Sequence, residues 1–336
     1  MRMFDIIRTG DLIVPWKLSP NIQAHLNALL PAAKAGYRKA FEERIKDLPE
    51  VSPANTRVGI EIECENLHHY MNQFFLNTWR IKGDGSLRNG GVEFISPAIH
   101  PVEIPIELAA IYAWIDDLKA NPEFTWRTSI HVHLECINLD VNEFKNLLLL
   151  YLLFESSLFQ FANPGRRETN IFCTPITRAN FYALEHFMVA QTKSDLRAAL
   201  LDVNGEIKKY SALNLAHLHD FGTIEFRHLR GTGDMQTVIT WSKLLLKLFT
   251  TACTIDSKEL RDQIASLNTT SAYNHFVESV FGAELAPYLI FPGHAIFLSK
   301  SISLVKEILR GNELFKSIKL MEDSGLCKFV TAQRNK

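Results

Sequence analysis

The chain has 336 residues, of which 47% are hydrophobic and 22% are charged, and these proportions exclude a fibrous or largely disordered protein. Its 36 basic and 37 acidic residues give a net charge of −1, so no overall field attracts nucleic acid or an anionic membrane. We therefore expect neither nucleic acid nor a membrane as a partner.

Cysteine spacing and apolar runs bear on the location of the protein. Five cysteines lie far apart without a C-x-x-C pair, which argues against a disulfide framework or a zinc knuckle and favours a reducing cytoplasm. The longest apolar run, Leu147–Phe154, is much shorter than the ~20 residues of a membrane-spanning helix. Charged residues interrupt the apolar stretch at 1–16, so we expect no signal peptide.

Apolar spacing, followed along the chain, predicts a helical lead-in, a region of short strands and a helical C-terminal region. Steps of three and four residues indicate helix within residues 1–50. Period-two alternation then predicts strands at Thr56–Glu65, Val92–Ser96, Ser129–Ile137, Tyr210–Leu215 and Thr223–Leu229. Helices are predicted at Val141–Ala162, Val238–Cys253, Lys258–Leu267, Ala272–Phe281 and Ile302–Ile318.

These elements favour an α+β fold with helices packed outside a sheet. We predict a single catalytic domain over residues 1–336. It comprises the helical lead-in, a catalytic sheet region at 55–234 and a helical region at 235–336.

Polar residues stand two positions apart within otherwise apolar strands. The pairs are Glu61 with Glu63, His131 with His133, and Glu225 with Arg227. Residues i and i+2 of a strand project from the same face, so each pair presents two functional groups to one side of a sheet. Burying several carboxylates on one face is costly unless cations neutralise them. The pattern therefore predicts a metal site.

A Gly-rich loop leads to another acidic residue. Asp84-Gly85-Ser86 is followed by Gly90-Gly91 and then by Glu93 on a short predicted strand. The acids of the three strands, with one imidazole, form a mostly oxygen ligand set that suits Mg²⁺ or Mn²⁺ better than zinc. Arg227 and Arg230 beside such a site would bind a polyphosphate and stabilise phosphoryl transfer.

Each motif also has a purely structural interpretation. E-x-E is commonly a solvated strand face, E-F-R a cross-strand ion pair and D-G-S a turn. Cys64 and Cys136 alternate onto the apolar side of their strands, so we interpret them as core residues rather than nucleophiles. Function is indicated by the combination of motifs rather than by any one of them.

Four segments carry most of these polar residues: RVGIEIECE, IKGDGSLRNGGVEFISP, SIHVHLE, and KYSALNL followed by GTIEFRHLRGTGD. Together they resemble the amidoligase family, carboxylate-amine ligases related to glutamine synthetase and glutamate-cysteine ligase. The resemblance spans about residues 57–234. It implies a glutamine synthetase-like fold, in which a curved antiparallel sheet has the active site on its concave face.

The resemblance also implies roles for individual residues. The metal ligands would be Glu61, Glu63, Glu93, His131 and Glu225. The nucleotide phosphates would contact Glu63, His133 and Arg227. Arg230 and Asn214 would contact substrate or phosphate, and Lys209-Tyr210 stands where the family has a basic residue.

Two further assignments depend on position alone. Asp84 and Glu65 are candidate bases, and Asp84 is equally placed to hold the incoming ammonium group. Arg166 and Arg167, in the loop NPGRRETN, are either ligands for a substrate carboxylate or phosphate or a solvated pair.

The implied activity is ATP-dependent formation of an amide or isopeptide bond through an acyl phosphate, with ATP and Mg²⁺ or Mn²⁺. The partners would be a small-molecule or peptide carboxylate and an amine, and the oligomeric state stays open. A metal-dependent hydrolase that uses the H-x-H and acidic residues without ATP is the alternative. A scaffold without activity is a third hypothesis, which we rank last because every acidic and basic position of the metal set is filled.

Overall fold

The computed structural model describes residues 56–74, 76, 78–118, 121–162, 173–176, 188–192, 195, 210–220, 222–291 and 299–310. The predicted lead-in at 1–50, Arg166, Arg167 and Lys209 lie outside these residues. The chain divides into two compact units. The first comprises the residues up to Cys136 with Thr223–Leu246, and the second comprises Ile137–Gly222 with the residues from Lys247 on.

Both units combine strands with helices, so the predicted α+β class is confirmed. The strands are β1 (Val58–Cys64), β2 (Arg80–Gly83), β3 (Val92–Ile95), β4 (Ser129–Glu135), β5 (Leu213–Asn214) and β6 (Thr223–Arg230). The helices are α1 (Ile104–Asp117), α2 (Val141–Ala162), α3 (His217–Asp220), α4 (Met235–Thr254), α5 (Ser257–Ser266) and α6 (Thr270–Leu285). Short 3₁₀ turns occupy His68–Gln73, Pro101–Glu103 and Ala286–Tyr288, and residues 299–310 are helical.

The first unit is built on an antiparallel sheet with unlike faces. Its strands lie in the order β2-β3-β1-β4-β6. The alternation predicted for β1 is confirmed, because Val58, Ile60 and Ile62 are fully buried on one face. Helix α1 packs near this apolar layer, where Trp114 meets Phe94 edge to face with ring centroids 5.7 Å apart. The other face is thereby left to the polar residues.

A bulge interrupts the pairing of β4 with β6. Val132 pairs with Phe226 and Ile130 with Leu229, so two residues of β6 lie opposite His131. Phe226 and Leu229 are both buried although they are three positions apart, and an uninterrupted strand would turn them to opposite faces. The extra residue keeps both in the apolar layer.

In the second unit, α2 has the predicted bounds and is buried on most sides. Phe154 packs edge to face on Phe281 of α6, with ring centroids 4.9 Å apart. The amide of Asn146 donates to the carbonyls of Ala252 and Ile255, at 3.2 and 3.0 Å. A buried polar side chain is thereby satisfied at the end of α4.

Two strands differ from the prediction by more than a residue or two at their ends. The strand predicted at Tyr210–Leu215 shrinks to the two residues of β5, because Tyr210 and Ala212 exchange backbone hydrogen bonds with Thr174 in an isolated bridge. Strand β2 was not predicted. Most of its residues are exposed, so it lacks the apolar alternation that marks β1 and β4.

Within the described part of the chain, no single helix has both the length and the apolar character needed to cross a membrane. Only α4 and α5 taken together, as a bent pair, meet those two criteria.

Replacing Gly91 by Ala should destabilise the first unit, because Gly91 closes the loop that leads into β3. A Cβ atom at this position would lie 2.2 Å from Cβ of Leu87, far inside van der Waals contact. We expect a loss of about 1–3 kcal/mol in the free energy of unfolding, measured by urea titration. Gly85→Ala is the matched control, since nothing lies within 4 Å of the added Cβ. Equal stability of the two variants would contradict the packing around Gly91.

Candidate functional site

Strand register brings the predicted site residues together on the polar face of the sheet. Directly opposed residues of antiparallel strands project to the same side, with Cβ atoms about 4.5–5.5 Å apart. Three opposed pairs join four strands: Glu63 with Glu93, Glu61 with His131, and His133 with Glu225. Residues distant in sequence thus converge because of backbone pairing alone.

His131 lies at the centre of this group and contacts acids on two sides. Its Nδ1 is 3.1 Å from Oε2 of Glu61 and 3.1 Å from Oε1 of Glu225. Its Nε2 is 2.7 Å from Oγ of Ser129 and 3.8 Å from Oε1 of Glu63. The imidazole therefore separates two sets of carboxylates.

Two groups of side chains have ligand atoms close enough to hold a cation. One group is Glu61, His131 and Glu225, the other is Glu63, Glu93 and His131, and within each group the ligand atoms lie within 4.8 Å of one another. We call the five residues the carboxylate cluster. Oxygen donors with one imidazole suit Mg²⁺ or Mn²⁺, and a bound cation would offset part of the cost of burying these acids. The structure thus unites all five predicted ligands, whose role as ligands stays a prediction.

Exposure divides the site into a closed part and an open part. The side chains of His131 and Glu225 are 3% and 2% exposed, and those of Glu63 and Glu93 are each 6% exposed. Glu61, His133 and Arg227 form the open part, with 21%, 16% and 12% of their side chains exposed. A ligand arriving from solvent would therefore meet His133 and Arg227 before the buried acids.

Basic side chains border the carboxylate cluster. Arg227 Nη1 donates to Oε1 of Glu225, two positions away on the same strand, and not across two strands as the structural interpretation of E-F-R has it. Arg230 lies opposite Ser129 in the register and is exposed. Its place on the polar face depends on the bulge in β6.

Lys82 adds a contact that the sequence analysis missed because it did not predict β2. Its Nζ lies 2.6 Å from Oε2 of Glu93. Because β2 is mostly exposed, its sequence has no apolar alternation that would have indicated this contact.

The D-G-S loop is a turn tied to the sheet by side chains. Oδ1 of Asp84 accepts the N–H of Ser86 at 2.7 Å, which confirms the turn interpretation. Oε1 of Glu65 accepts the N–H of Arg88 at 2.7 Å, and Arg127 donates to the carbonyl of Ser86. Roles of Asp84 and Glu65 in proton transfer or amine binding stay predictions.

Asn214 belongs to the second unit, on β5. It is buried, and its Oδ1 accepts the N–H of Ala216 at 3.0 Å. Its contact with substrate, like that of Arg166 and Arg167 outside the described residues, stays a prediction.

Burial and charge shift the pKa values of several groups. Burial alone would raise the pKa of Glu61, but hydrogen bonds and positive charge from His131 and His133 hold it below its ordinary value. Burial and the charge of Glu61 raise the pKa of Glu93 to about 8, against the opposing effect of Lys82. Burial also raises the pKa of the Cys64 thiol to about 12, which agrees with its predicted place in the core.

Glu93→Gln should remove a pH dependence of stability in the metal-free protein. Because folding raises the pKa of Glu93 from an ordinary 4.5 to about 8, the folded state binds an extra proton between these values. Stability is then full at the acid end of this window and falls as the pH rises towards 8. The pKa of Glu61 is lowered, so protonation of Glu61 changes stability only below this pH range.

Thermal unfolding in EDTA from pH 5 to 8.5 measures this effect. We expect a smaller decline in Tm for Glu93→Gln than for the natural protein. Glu135→Gln, at a half-buried carboxylate of β4 outside the carboxylate cluster, should keep the natural decline. Parallel curves for all three proteins would show that Glu93 is ionised throughout.

Comparison with known proteins places this site in a family. A search of curated proteins found no match. The family model described as "Putative amidoligase enzyme" matches residues 68–249, more than half of the chain. The match includes Glu93, His131, His133, Glu225 and Arg227, and it begins after Glu61 and Glu63, which β1 places beside them. The chain belongs to the amidoligase family.

Proposed function

We propose that this protein is an ATP-dependent carboxylate-amine ligase that forms an amide or isopeptide bond. The observation that supports this proposal is the convergence of four glutamates, three of them buried, on His131, with His133 and Arg227 at the open side. Membership of the amidoligase family supports ligation as the class of reaction. The proposal includes the predicted kinship with glutamine synthetase and glutamate-cysteine ligase.

The carboxylate cluster would hold Mg²⁺ or Mn²⁺, since its donors have the chemistry these ions select. Bound divalent ions neutralise phosphate oxygens and stabilise charge during phosphoryl transfer. His131 and Glu225 are almost fully buried, so they would bind a cation on the closed side of the site. Glu61 and Glu63 belong to different groups of the cluster, which favours two cations.

The nucleotide phosphates would occupy the open side of the site. His133 and Arg227 are the basic groups there with partial exposure, and both lie within reach of the acids. Arg227 is held in place by Glu225 and is thereby oriented before any phosphate arrives. Arg230, on the same face, would add charge compensation. Glu63 would also lie near the phosphates, as the resemblance implies.

The chemistry explains why a nucleotide is needed. A carboxylate is a poor electrophile, so an amine does not displace its oxygen at neutral pH. Transfer of the γ-phosphoryl group of ATP to the carboxylate would give an acyl phosphate and ADP. The amine would then attack the acyl carbon, lose a proton and release inorganic phosphate. Asp84 is our candidate for holding the amine, and Asn214, Arg166 and Arg167 are candidates for the carboxylate substrate.

We also propose a cytoplasmic location, with no nucleic acid or membrane as a partner. The carboxylate would come from a small molecule or a peptide. The location and the exclusion of these two partners follow from the balanced charge and the cysteine spacing of the chain, and the class of the carboxylate follows from the family resemblance.

A phosphate-release screen tests the proposed function. The full chain is incubated with ATP, Mg²⁺ and arrays of acids and amines, and products of active pairs are identified by mass spectrometry. We expect phosphate release that requires both an acid and an amine, and a product that has lost one water relative to the pair. Hydrolysis of amides or esters without ATP would overturn the proposal and support the alternative hydrolase.

Glu61→Ala and Glu225→Ala should each abolish turnover and leave a folded protein. Each change removes a proposed ligand and relieves like-charge repulsion in the metal-free cluster. The measurements are amine-dependent ADP formation and circular dichroism. Glu135→Ala is the control on the same sheet and should stay active. Undiminished ADP formation in the two variants would refute the metal assignment.

Arg227→Lys should also lose most activity although the positive charge is kept. A planar guanidinium donates to Glu225 and to a phosphate at the same time, whereas a lysine ammonium cannot keep that geometry. We expect at least a tenfold fall in kcat/KM, equivalent to about 1.4 kcal/mol of transition-state stabilisation. Arg57→Lys, at an exposed residue before β1, is the control. Equal kinetics of Arg227→Lys and the control would show that charge alone suffices.

A further inference from the structure

Lys82 places an ammonium group against a buried acid of the carboxylate cluster. Its Nζ lies 2.6 Å from Oε2 of Glu93, and the exposed fractions of the two side chains are 58% and 6%. Glu93 also belongs to one of the two candidate cation groups. One carboxylate thus has two candidate cationic partners, a divalent ion and a side chain of the same protein. The inference drawn from this competition rests on the metal centre of the proposed function.

Strand register fixes the position of Lys82. Lys82 is opposed to Glu93 in the β2–β3 pair, and Glu93 is opposed to Glu63 in the β3–β1 pair. Opposed residues of antiparallel strands project to the same side of a sheet. The three side chains therefore form a row across the polar face, and the lysine stands at its outer end, on the edge strand β2.

The contact between Lys82 and Glu93 is an ion pair that separates without disturbing the sheet. Oε2 of Glu93 is buried and accepts no aligned hydrogen bond from the residues that the structure describes, so the pair depends on attraction between charges. The flexible stem of Lys82 is more than half exposed, so its ammonium group moves into solvent at little cost. Glu93 stays in place, because β3 is paired on both sides.

The surrounding acids keep Lys82 charged while it contacts Glu93. The contact with Glu93 raises the pKa of Lys82 against the opposing effect of partial burial, and the charges of Glu61 and Asp84 raise it further. The ammonium group is therefore present when Glu93 ionises, which happens at about pH 8 in the metal-free protein. Lys82 thus offsets part of the cost of a buried carboxylate where no metal is bound.

A divalent ion at Glu93 would remove the reason for this contact. It would neutralise the carboxylate and repel the ammonium group. Lys82 projects from the polar face, so the released ammonium group stays on the side of the sheet that carries the acids. The proposed nucleotide brings phosphate oxygens to this side, and a lysine ammonium group is a common ligand of phosphate.

We propose that Lys82 is an exchangeable counter-ion, which neutralises Glu93 in the metal-free protein, gives this acid up to an incoming divalent cation and then binds a phosphate oxygen of the nucleotide. The exchange couples the two ligands, because the charge that the metal displaces becomes a contact for the nucleotide. Lys82 is thereby a nucleotide-binding residue of the metal-loaded protein only.

Chemical labelling of the natural protein tests the exchange directly. The full chain at pH 8.5 is treated with limiting acetic anhydride, and mass spectrometry gives the acetylation of Lys82 relative to that of the exposed Lys258. We expect acetylation of Lys82 to rise severalfold with saturating Mg²⁺, because an amine that leaves a carboxylate loses its proton more readily. Addition of a non-hydrolysable ATP analogue should lower it again. Unchanged acetylation, where calorimetry shows that Mg²⁺ binds, would overturn the proposal.

Calorimetric titrations of variants at the same pH test the exchange independently. Lys82→Met should tighten Mg²⁺ binding about fivefold, lower the Tm in EDTA because Glu93 loses its counter-ion, and weaken the ATP analogue with Mg²⁺ about tenfold. Lys82→Arg keeps the charge and should stay near the natural values. Arg80→Met is the matched control, since Arg80 projects from the same face of β2 but is opposed to Ile95. It should leave all three measurements near the natural values.

The outcomes separate this proposal from the proposed function. No Mg²⁺ binding by the natural protein or by Lys82→Met would show that the metal centre itself is wrong, and the exchange with it. Equal Mg²⁺ affinity in Lys82→Met and Arg80→Met would reduce Lys82 to a structural ion pair and leave the ligase proposal standing. Tighter Mg²⁺ binding with unchanged affinity for the ATP analogue would overturn the phosphate contact. If Lys82→Met does not fold, the labelling of the natural protein still decides.

Discussion

The electrostatic cost of placing four carboxylates around one imidazole governs the polar face of the sheet. Isolated buried charges are expensive, and here Glu61, Glu63, Glu93 and Glu225 lie on neighbouring strands with little solvent. The protein offsets part of this cost with His131, Arg227 and Lys82, and the remaining cost is reflected in the pKa of Glu93, which burial and the charge of Glu61 raise to about 8. Such an arrangement is costly in a merely structural sheet and useful where cations bind.

The faces of the strands were predictable from the sequence. Period-two alternation assigns Glu61, Glu63, His131 and Glu225 to polar faces, and the apolar neighbours are buried as expected. Their mutual positions were not predictable from alternation, because a strand pattern does not state which strands pair or in which register. The family resemblance predicted that these residues come together, and the pairing of Glu61 with His131 gives the physical reason.

Two further features left no usable signal in the chain. Strand β2 lies at the edge of the sheet and is mostly exposed, so nothing in its hydropathy separates it from a loop, and the contact of Lys82 with Glu93 was missed with it. Ser129 has an ordinary strand sequence around it. Its hydrogen bonds with Glu63 and His131 become evident only from the three-dimensional structure.

The discontinuity of the first unit has a consequence for biosynthesis. Strands β1 to β4 leave the ribosome before residues 137–222 of the second unit are made, and β6 follows only afterwards. Closing such a distant strand pair is slow compared with forming local hairpins. A nascent chain at this stage therefore contains Glu61, Glu63, Glu93 and His131 but not Arg227. Glu225, the last acid of the carboxylate cluster, is synthesised two residues before Arg227, whose charge compensates it.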